Sequence, residues 1–317
     1  MEEPRPDKHR YAVALLAGDG IGQELIAEGS RALQEVARLH GFELEERHLP
    51  FGGEALRAYG TRLPEQTRAL CHSADAVLVA ASADPALEQL LAGLDLRWRV
   101  QRVLAPGADL VLVSPLDVAD EPLAAARAFA IASRRHARLA AVGEGERWRG
   151  VVAQEAAHHP AVSVDRLTAE EAAALLADAP GRLDVIATQQ TLVWTLSGTA
   201  AYGRGGTRTV ASGRLSEGGY GVFAPTHGSA PNIAGLGVAN PTGMLLATSL
   251  LLGEGLGERE AAAAVDRALA AALDTGPLTA DMVREGVAAT TREFMDAVLA
   301  GLGRPGAGAR SHREVLA

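Results

Sequence analysis

Residues 11–41, YAVALLAGDGIGQELIAEGSRALQEVARLHG, leave the backbone few choices. A short apolar run breaks at Gly-Asp-Gly-Ile-Gly. A helical pattern follows, with Leu25, Ile26, Ala32, Leu33 and Val36 near one face. FELEERHLP then alternates as a second strand, LPEQTRALCHSA is helical, and DAVLVAA, between Asp75 and Ser82, is a buried strand. Strand, helix, strand, helix specifies an α/β fold with a mostly parallel sheet. RVLAPGADLVLVSPLD carries another strand, and EPLAAARAFAIASRRH is an amphipathic helix. RLAAVGEG is a strand and turn, and LDVIAT is a strand. ERWRGVVAQEAAHH, TAEEAAALLADA, QTLVWTLSGTAAYG, EREAAAAVDRALAAAL and TTREFMDAVLAGL are expected helices. GRGGTRTVASGRLSEGGYG is an irregular hairpin or loop, and no fixed-period repeat occurs.

Length and charge narrow the function. The 317 residues suffice for one large domain or two modest ones. A net charge of -9 leaves no basic excess for a nucleic acid or an anionic membrane surface. No apolar run approaches the ~20 residues of a membrane span. MEEPRPDKHR lacks an apolar signal core and is expected to fray, so the chain is expected in the cytoplasm. Cys71 is the sole cysteine, which excludes an internal disulfide and suits a small buried hydrophobe. Lys8 is the sole lysine among 30 basic residues, so nothing beyond residue 8 can use a lysine amine.

HGSAPNIAGLGVANPTG, residues 227–243, is crowded with small residues and turn formers. Asn240 suits a helix N-cap with Pro241 in the first helical position. Such a helix start suits a phosphate, and Gly228, Gly235 and Gly237 would let a flat ligand approach the backbone. On pattern alone this is either a loop of small residues or a dinucleotide site.

Together, GDGIGQE at Gly18–Glu24 and the 227–243 loop resemble the isocitrate and isopropylmalate dehydrogenase family, whose patterns read GDGIGPE and HGSAPDIAGKGIANPTA. The resemblance extends to GGEALRAYGTRLPEQTRALCHSADAVLVAA, VLAPGADLVLV and TTREFMDAVLAGL, and is thin between about residues 114 and 220. It implies a two-domain α/β fold: a nucleotide-binding domain from residues 1–103 and 209–317, and a dimerisation domain from 104–208. It implies NAD, with NADP open, since Asn232 stands where NAD-using members carry an aspartate. It places Asp19, Ile21, His227, Gly228, Ser229, Ala230, Asn232 and Asn240 at the cofactor. A structural loop histidine remains an alternative for His227.

The family oxidises a 2-hydroxy acid and decarboxylates the product with a divalent metal ion. The resemblance locates that machinery on unsuitable residues. The two metal aspartates fall on Trp194 and Gly198. A third, given by the partner subunit, falls near Glu170, which equally suits an ordinary acidic helix start. The lysine position falls near Glu144, the interval SPLDVAD has no tyrosine, and a substrate-binding arginine falls on Ser114. No metal is therefore expected. Arg97, Arg99 and Arg102 are either a substrate anion site or a solvated strand edge with Trp98 packed inward. Glu144, Glu170 and Asp117 are weak candidates for a general base, and His158 and His159 suit a surface turn. Three readings follow: a homodimer that binds NAD but has lost oxidative decarboxylation, a metal-independent NAD(P)-dependent oxidoreductase of another small carboxylic acid, or a non-catalytic partner subunit of a true family enzyme.

Overall fold

A computed structural model of the chain describes residues 9–80, 84–105, 107–202, 205–283 and 285–303. Lys8, Ser82 and the N-terminal tail, with nearly all of GRPGAGARSHREVLA, lie outside them. The first half of the chain runs β1 (Arg10–Leu16), α1 (Gly22–His40), β2 (Glu43–His48), α2 (Gly52–Tyr59), α3 (Glu65–His72), β3 (Ala76–Val79) and α4 (Pro85–Leu91). A hairpin follows, β4 (Trp98–Ala105) and β5 (Ala108–Pro115), then α5 (Glu121–Arg134), β6 (Arg138–Val142), α6 (Glu146–His158), β7 (Ser163–Leu167), α7 (Ala169–Asp178), β8 (Val185–Thr188) and α8 (Val193–Ala201). The chain returns through β9 (Val210–Leu215) and β10 (Gly221–Pro225), then closes with α9 (Thr242–Leu250), α10 (Arg259–Thr275) and α11 (Thr291–Leu302).

All ten strands join one sheet in the order β2-β1-β3-β10-β9-β4-β5-β8-β6-β7. The strands β2, β1, β3 and β10 are mutually parallel, as are β5, β8, β6 and β7. Antiparallel pairings of β10 with β9, β9 with β4 and β4 with β5 join the two blocks, which therefore run in opposite directions. The boundary at 103/104 falls inside β4, the strand that bridges them.

Two sequence expectations change here. RVLAPGADLVLVSPLD supplies parts of two strands, because the chain turns at Gly107 in the left-handed region (φ 67). VASGRL, expected in an irregular hairpin or loop, is a central strand that forms an antiparallel hairpin with GVFAP, the strand that begins where that stretch ends. Gly213 and Gly221 make room for the Phe223 ring, since a Cβ on either would stand 2.7 Å from it.

Strand alternation splits the core between the two faces. Val13, Leu15, Val100 and Val113 pack on one side with α1, α9, α10, α11, α5 and α6. The other side holds two separate clusters: Ala14, Leu16, Val77 and Val79 with α3 and α4, and Val103, Leu112 and Ile186 with α7 and α8. Helix α9 is buried at every residue, its few hydroxyls included. Among the described residues no helix is long and apolar enough to cross a membrane.

Candidate active site

The two glycine-rich segments meet. Gly18 and Gly20 both sit at positive φ (68° and 64°), and the Ile21 N–H donates to the Ser229 carbonyl at 2.8 Å. A Cβ on Gly20 would stand 1.9 Å from that oxygen, so only glycine permits this approach. Glu24 accepts the Gly237 N–H at 3.1 Å, and the Thr291 N–H donates to the Gly237 carbonyl at 2.8 Å. The Asp19 carboxylate accepts the Gly53 N–H at 2.8 Å and lies 3.6 Å from Arg62. Ile21 is buried.

Asn240 is also turned inward. Its Oδ1 accepts the Thr242 N–H at 2.9 Å and caps α9, while its Nδ2 donates to Asp281 at 3.0 Å. Asn240, Pro241, Thr242 and Gly243, at this helix start, are all buried. The outer rim of the loop is Gly228, Pro231, Asn232, Gly235 and Leu236, all exposed, with Ser229 and Ala230 half-buried beside them. His227 lies beneath it, its Nδ1 3.0 Å from the Gly228 carbonyl. Burial lowers its pKa.

At the end of β10 the chain enters this loop, and a cavity of about 260 Å³ opens beside it. Leu87, Glu88 and Leu91 of α4 line one wall and Trp194 of α8 another. Ser212 and Arg214 of β9, with Val222, Ala224, Pro225 and Thr226, complete the lining. The cavity lies on the sheet face that holds two clusters. Register places Ser114 and Arg214 on either side of Arg99, on β5, β9 and β4. Continuing the β5–β8 register brings Thr188 beside Ser114. Thr188, Ser114, Arg99 and Arg214 are therefore one polar row across an otherwise apolar sheet.

The row is incompletely paired. Arg99 is 6% exposed, has no carboxylate within salt-bridge distance among the described residues, and lies 5.1 Å from the Trp194 ring centroid. Burial, then repulsion from Arg214, lowers its pKa to about 10, so it remains a cation at neutral pH. Arg99 Nε, both Gln101 amide atoms, Ser114 Oγ and Thr188 Oγ1 are buried without a hydrogen-bond partner. Arg214 is held bidentately by Glu88 at 2.7 and 3.1 Å.

The expected arginine cluster does not form. Arg102 lies three residues from Arg99 on one strand and so points to the opposite face. There it is buried against Asp109, Asp266 and Ser249. Arg97 precedes β4 and pairs with Asp120 at 2.6 Å. Nor is β4 a solvated edge, for all eight residues are buried, Trp98 included. Glu144, Glu170 and Asp117 are exposed and none lines the cavity. Glu144 borders a separate hollow of about 350 Å³ between α6 and β7. Glu170 lies in the first turn of α7, which the Thr168–Glu171 capping box starts. Asp117 accepts the Ala119 N–H at 2.9 Å. His158 and His159 close α6 beside Glu155.

Sequence reasoning missed Glu88, Gln101, Thr188, Ser212 and Arg214. For Gln101, Ser212 and Arg214 the only signal was a polar residue facing the same way as apolar neighbours in RVQRV and VASGRL. The cavity's acid, Glu88, is already paired. Among the described residues no group of three His, Cys, Asp or Glu could hold a metal ion. The donor set does not fit a divalent cation.

The chain is an α/β protein in which two interlocked glycine loops lie beside a polar cleft. A profile of the isocitrate/isopropylmalate dehydrogenase family matches residues 12–100 and 123–298, and the chain belongs to this family. The unmatched stretch holds most of the β4–β5 hairpin and the turn after it. A chloroplastic 3-isopropylmalate dehydrogenase of Brassica napus is 32% identical over 89% of this chain and 84% of its own length. A 3-isopropylmalate dehydrogenase of Synechococcus sp. (strain CC9902) is 32% identical over 87% and 95%. The fold is similar to an isocitrate dehydrogenase from Methylococcus capsulatus, with TM-score 0.78 and 21% identity over 93% of this chain and all of that one. It is also similar to a β-decarboxylating dehydrogenase from Thermococcus kodakarensis, with TM-score 0.76 and 24% identity over 92% and 96%.

Proposed function

We propose that this protein binds a dinucleotide on the rim of the 227–237 loop and a small carboxylic acid in the adjoining cleft, and that it has lost metal-dependent oxidative decarboxylation. The observation that carries the reading is Arg99, a buried cation with no carboxylate within salt-bridge distance among the described residues, beside a cavity whose wall runs into the 227–237 loop. Its missing counter-ion is the ligand's carboxylate. The rim residues fit a dinucleotide: exposed glycines let rings approach the backbone, and Asn232 offers a hydrogen-bond acceptor without the charge that would exclude a 2′-phosphate. NAD is preferred, and a bound nicotinamide supplies a hydride acceptor.

One observation favours a second reading, metal-independent hydride transfer. Pro225 and Thr226 line the cleft and lead directly into His227, which sets ligand and nucleotide side by side. The same proposal includes a cytoplasmic homodimer, and a division into a nucleotide-binding half, residues 1–103 and 209–317, and a dimerising half. Trp194 (49% exposed) and Tyr202 (89%), on and beside α8, supply an apolar surface for a second copy. The test is steady-state turnover of 3-isopropylmalate and isocitrate with NAD and Mg²⁺. No turnover above background is expected; turnover at ordinary enzyme rates would overturn the reading.

A further inference from the structure

The mismatch between the cleft and a metal ion has a physical content of its own. A site for Mg²⁺ needs several oxygen ligands, at least one of them an anionic carboxylate. This cleft is instead lined by Arg214, with Arg99 beside it on the adjacent strand in direct register and against the lining Trp194, so two guanidinium groups flank it. Its one lining acid, Glu88, spends both oxygens on Arg214. The Arg99 guanidinium carbon lies over the Trp194 ring, 5.1 Å from its centroid, which favours a cation there. Below them, Ser114, Thr188 and Gln101 contribute neutral groups without partners. A divalent ion entering here would meet positive charge, and a carboxylate would meet its complement.

We propose that the cleft is a metal-excluding carboxylate site in which the Arg99 guanidinium, held against Trp194, is the resident cation. This inference rests on the reading that a carboxylic acid binds in the cleft, and it specifies what replaces the metal. The ligand's carboxylate forms a charge-assisted, planar pair with Arg99, whose fork geometry matches it. Ligands that depend on chelating a divalent ion lose that contribution, so the cleft selects acids with one carboxylate at Arg99 and an apolar remainder against Leu87, Leu91 and Val222. The depressed pKa of Arg99 agrees with this geometry, since burial and Arg214 both oppose the cation and an incoming anion relieves both.

The test uses the full-length protein and two readouts. Mn²⁺ binding is followed by water-proton relaxation, with and without 3-isopropylmalate. Binding of 3-isopropylmalate is followed by tryptophan fluorescence, in chelator and in Mg²⁺. Trp98 and Trp148 are each only 2% exposed, so the Trp194→Phe variant identifies the responding ring. The expected result is no Mn²⁺ binding in either state, with Trp194 quenching of equal affinity in chelator and in Mg²⁺. Arg99→Met is expected to weaken that binding by about tenfold or more. Arg99→Lys, which keeps the charge but loses the planar fork, is expected to restore it only in part. Stoichiometric Mn²⁺ binding, or quenching that requires Mg²⁺, overturns the inference while leaving carboxylate binding in place. Absence of quenching in both buffers overturns the carboxylate reading itself, and this inference with it.

Discussion

Arg99 is charged, buried and without a carboxylate partner among the described residues, and these facts set opposite demands on stability and binding. Replacing an unpaired buried cation with an apolar side chain of similar reach removes a desolvation penalty. Arg99→Met is therefore expected to stabilise the unliganded protein by about 1 kcal/mol or more in urea unfolding. The same variant is expected to lose the rise in Tm that 3-isopropylmalate gives the parent protein; a variant both less stable and still responsive would contradict this account. The pH dependence has a definite sign. A base whose pKa falls on folding binds fewer protons when folded, so its unfavourable contribution holds below the folded pKa of about 10 and eases as pH rises through it. Ligand stabilisation runs the other way. The shift in Tm caused by 3-isopropylmalate should persist to about pH 10 and vanish above it, as thermal melts across that range would show.

Among the elements, the two glycine loops carry the most specific geometry. Gly20→Ala combines a positive φ with a Cβ 1.9 Å from the Ser229 oxygen, so the loops must separate. The expected cost is about 2 kcal/mol or more in stability, together with weakened NADH binding in a fluorescence titration. Both loops were legible in sequence because each carries its constraint locally, in glycine spacing and in a cap such as Asn240. The direction each side chain faces was not. Asp19 accepts the Gly53 N–H, Asn240 accepts the Thr242 N–H and donates to Asp281, and Ile21 is buried, contacts that the sequence alone does not reveal. Arg97, Arg99 and Arg102 looked like one cluster because sequence proximity hides strand alternation. Arg214 went unnoticed because it reaches Arg99 only through pairing across β9 and β4, 115 residues apart in sequence.

At the scale of the molecule, two parallel blocks run in opposite directions and meet at β9, β4 and β5. The alternation of strands and helices predicted the blocks. The antiparallel seam was legible only in part, since VASGRL lies in a glycine-rich stretch that reads equally as a hairpin or a loop, and the pairing of β9 with β4 has no local signal. On the face opposite the cleft, Arg102 of β4 bonds Asp109 of β5, Ser249 of α9 and Asp266 of α10, and so ties the seam to the outer helices. Arg102→Met would leave two carboxylates without their main partner. It is expected to cost about 3–5 kcal/mol in urea unfolding, the opposite sign to Arg99→Met on the other face of the same strand. Two arginines three residues apart thus serve different ends: one closes an internal charge network, the other leaves one open for a ligand.

The most direct measurement is a titration with NADH, in chelator, following nucleotide fluorescence, and its repetition with 3-isopropylmalate present. The account predicts saturable NADH binding without any divalent ion and a changed affinity when the acid occupies the adjoining cleft. No binding up to millimolar NADH, or binding that appears only when Mg²⁺ is added, would contradict it.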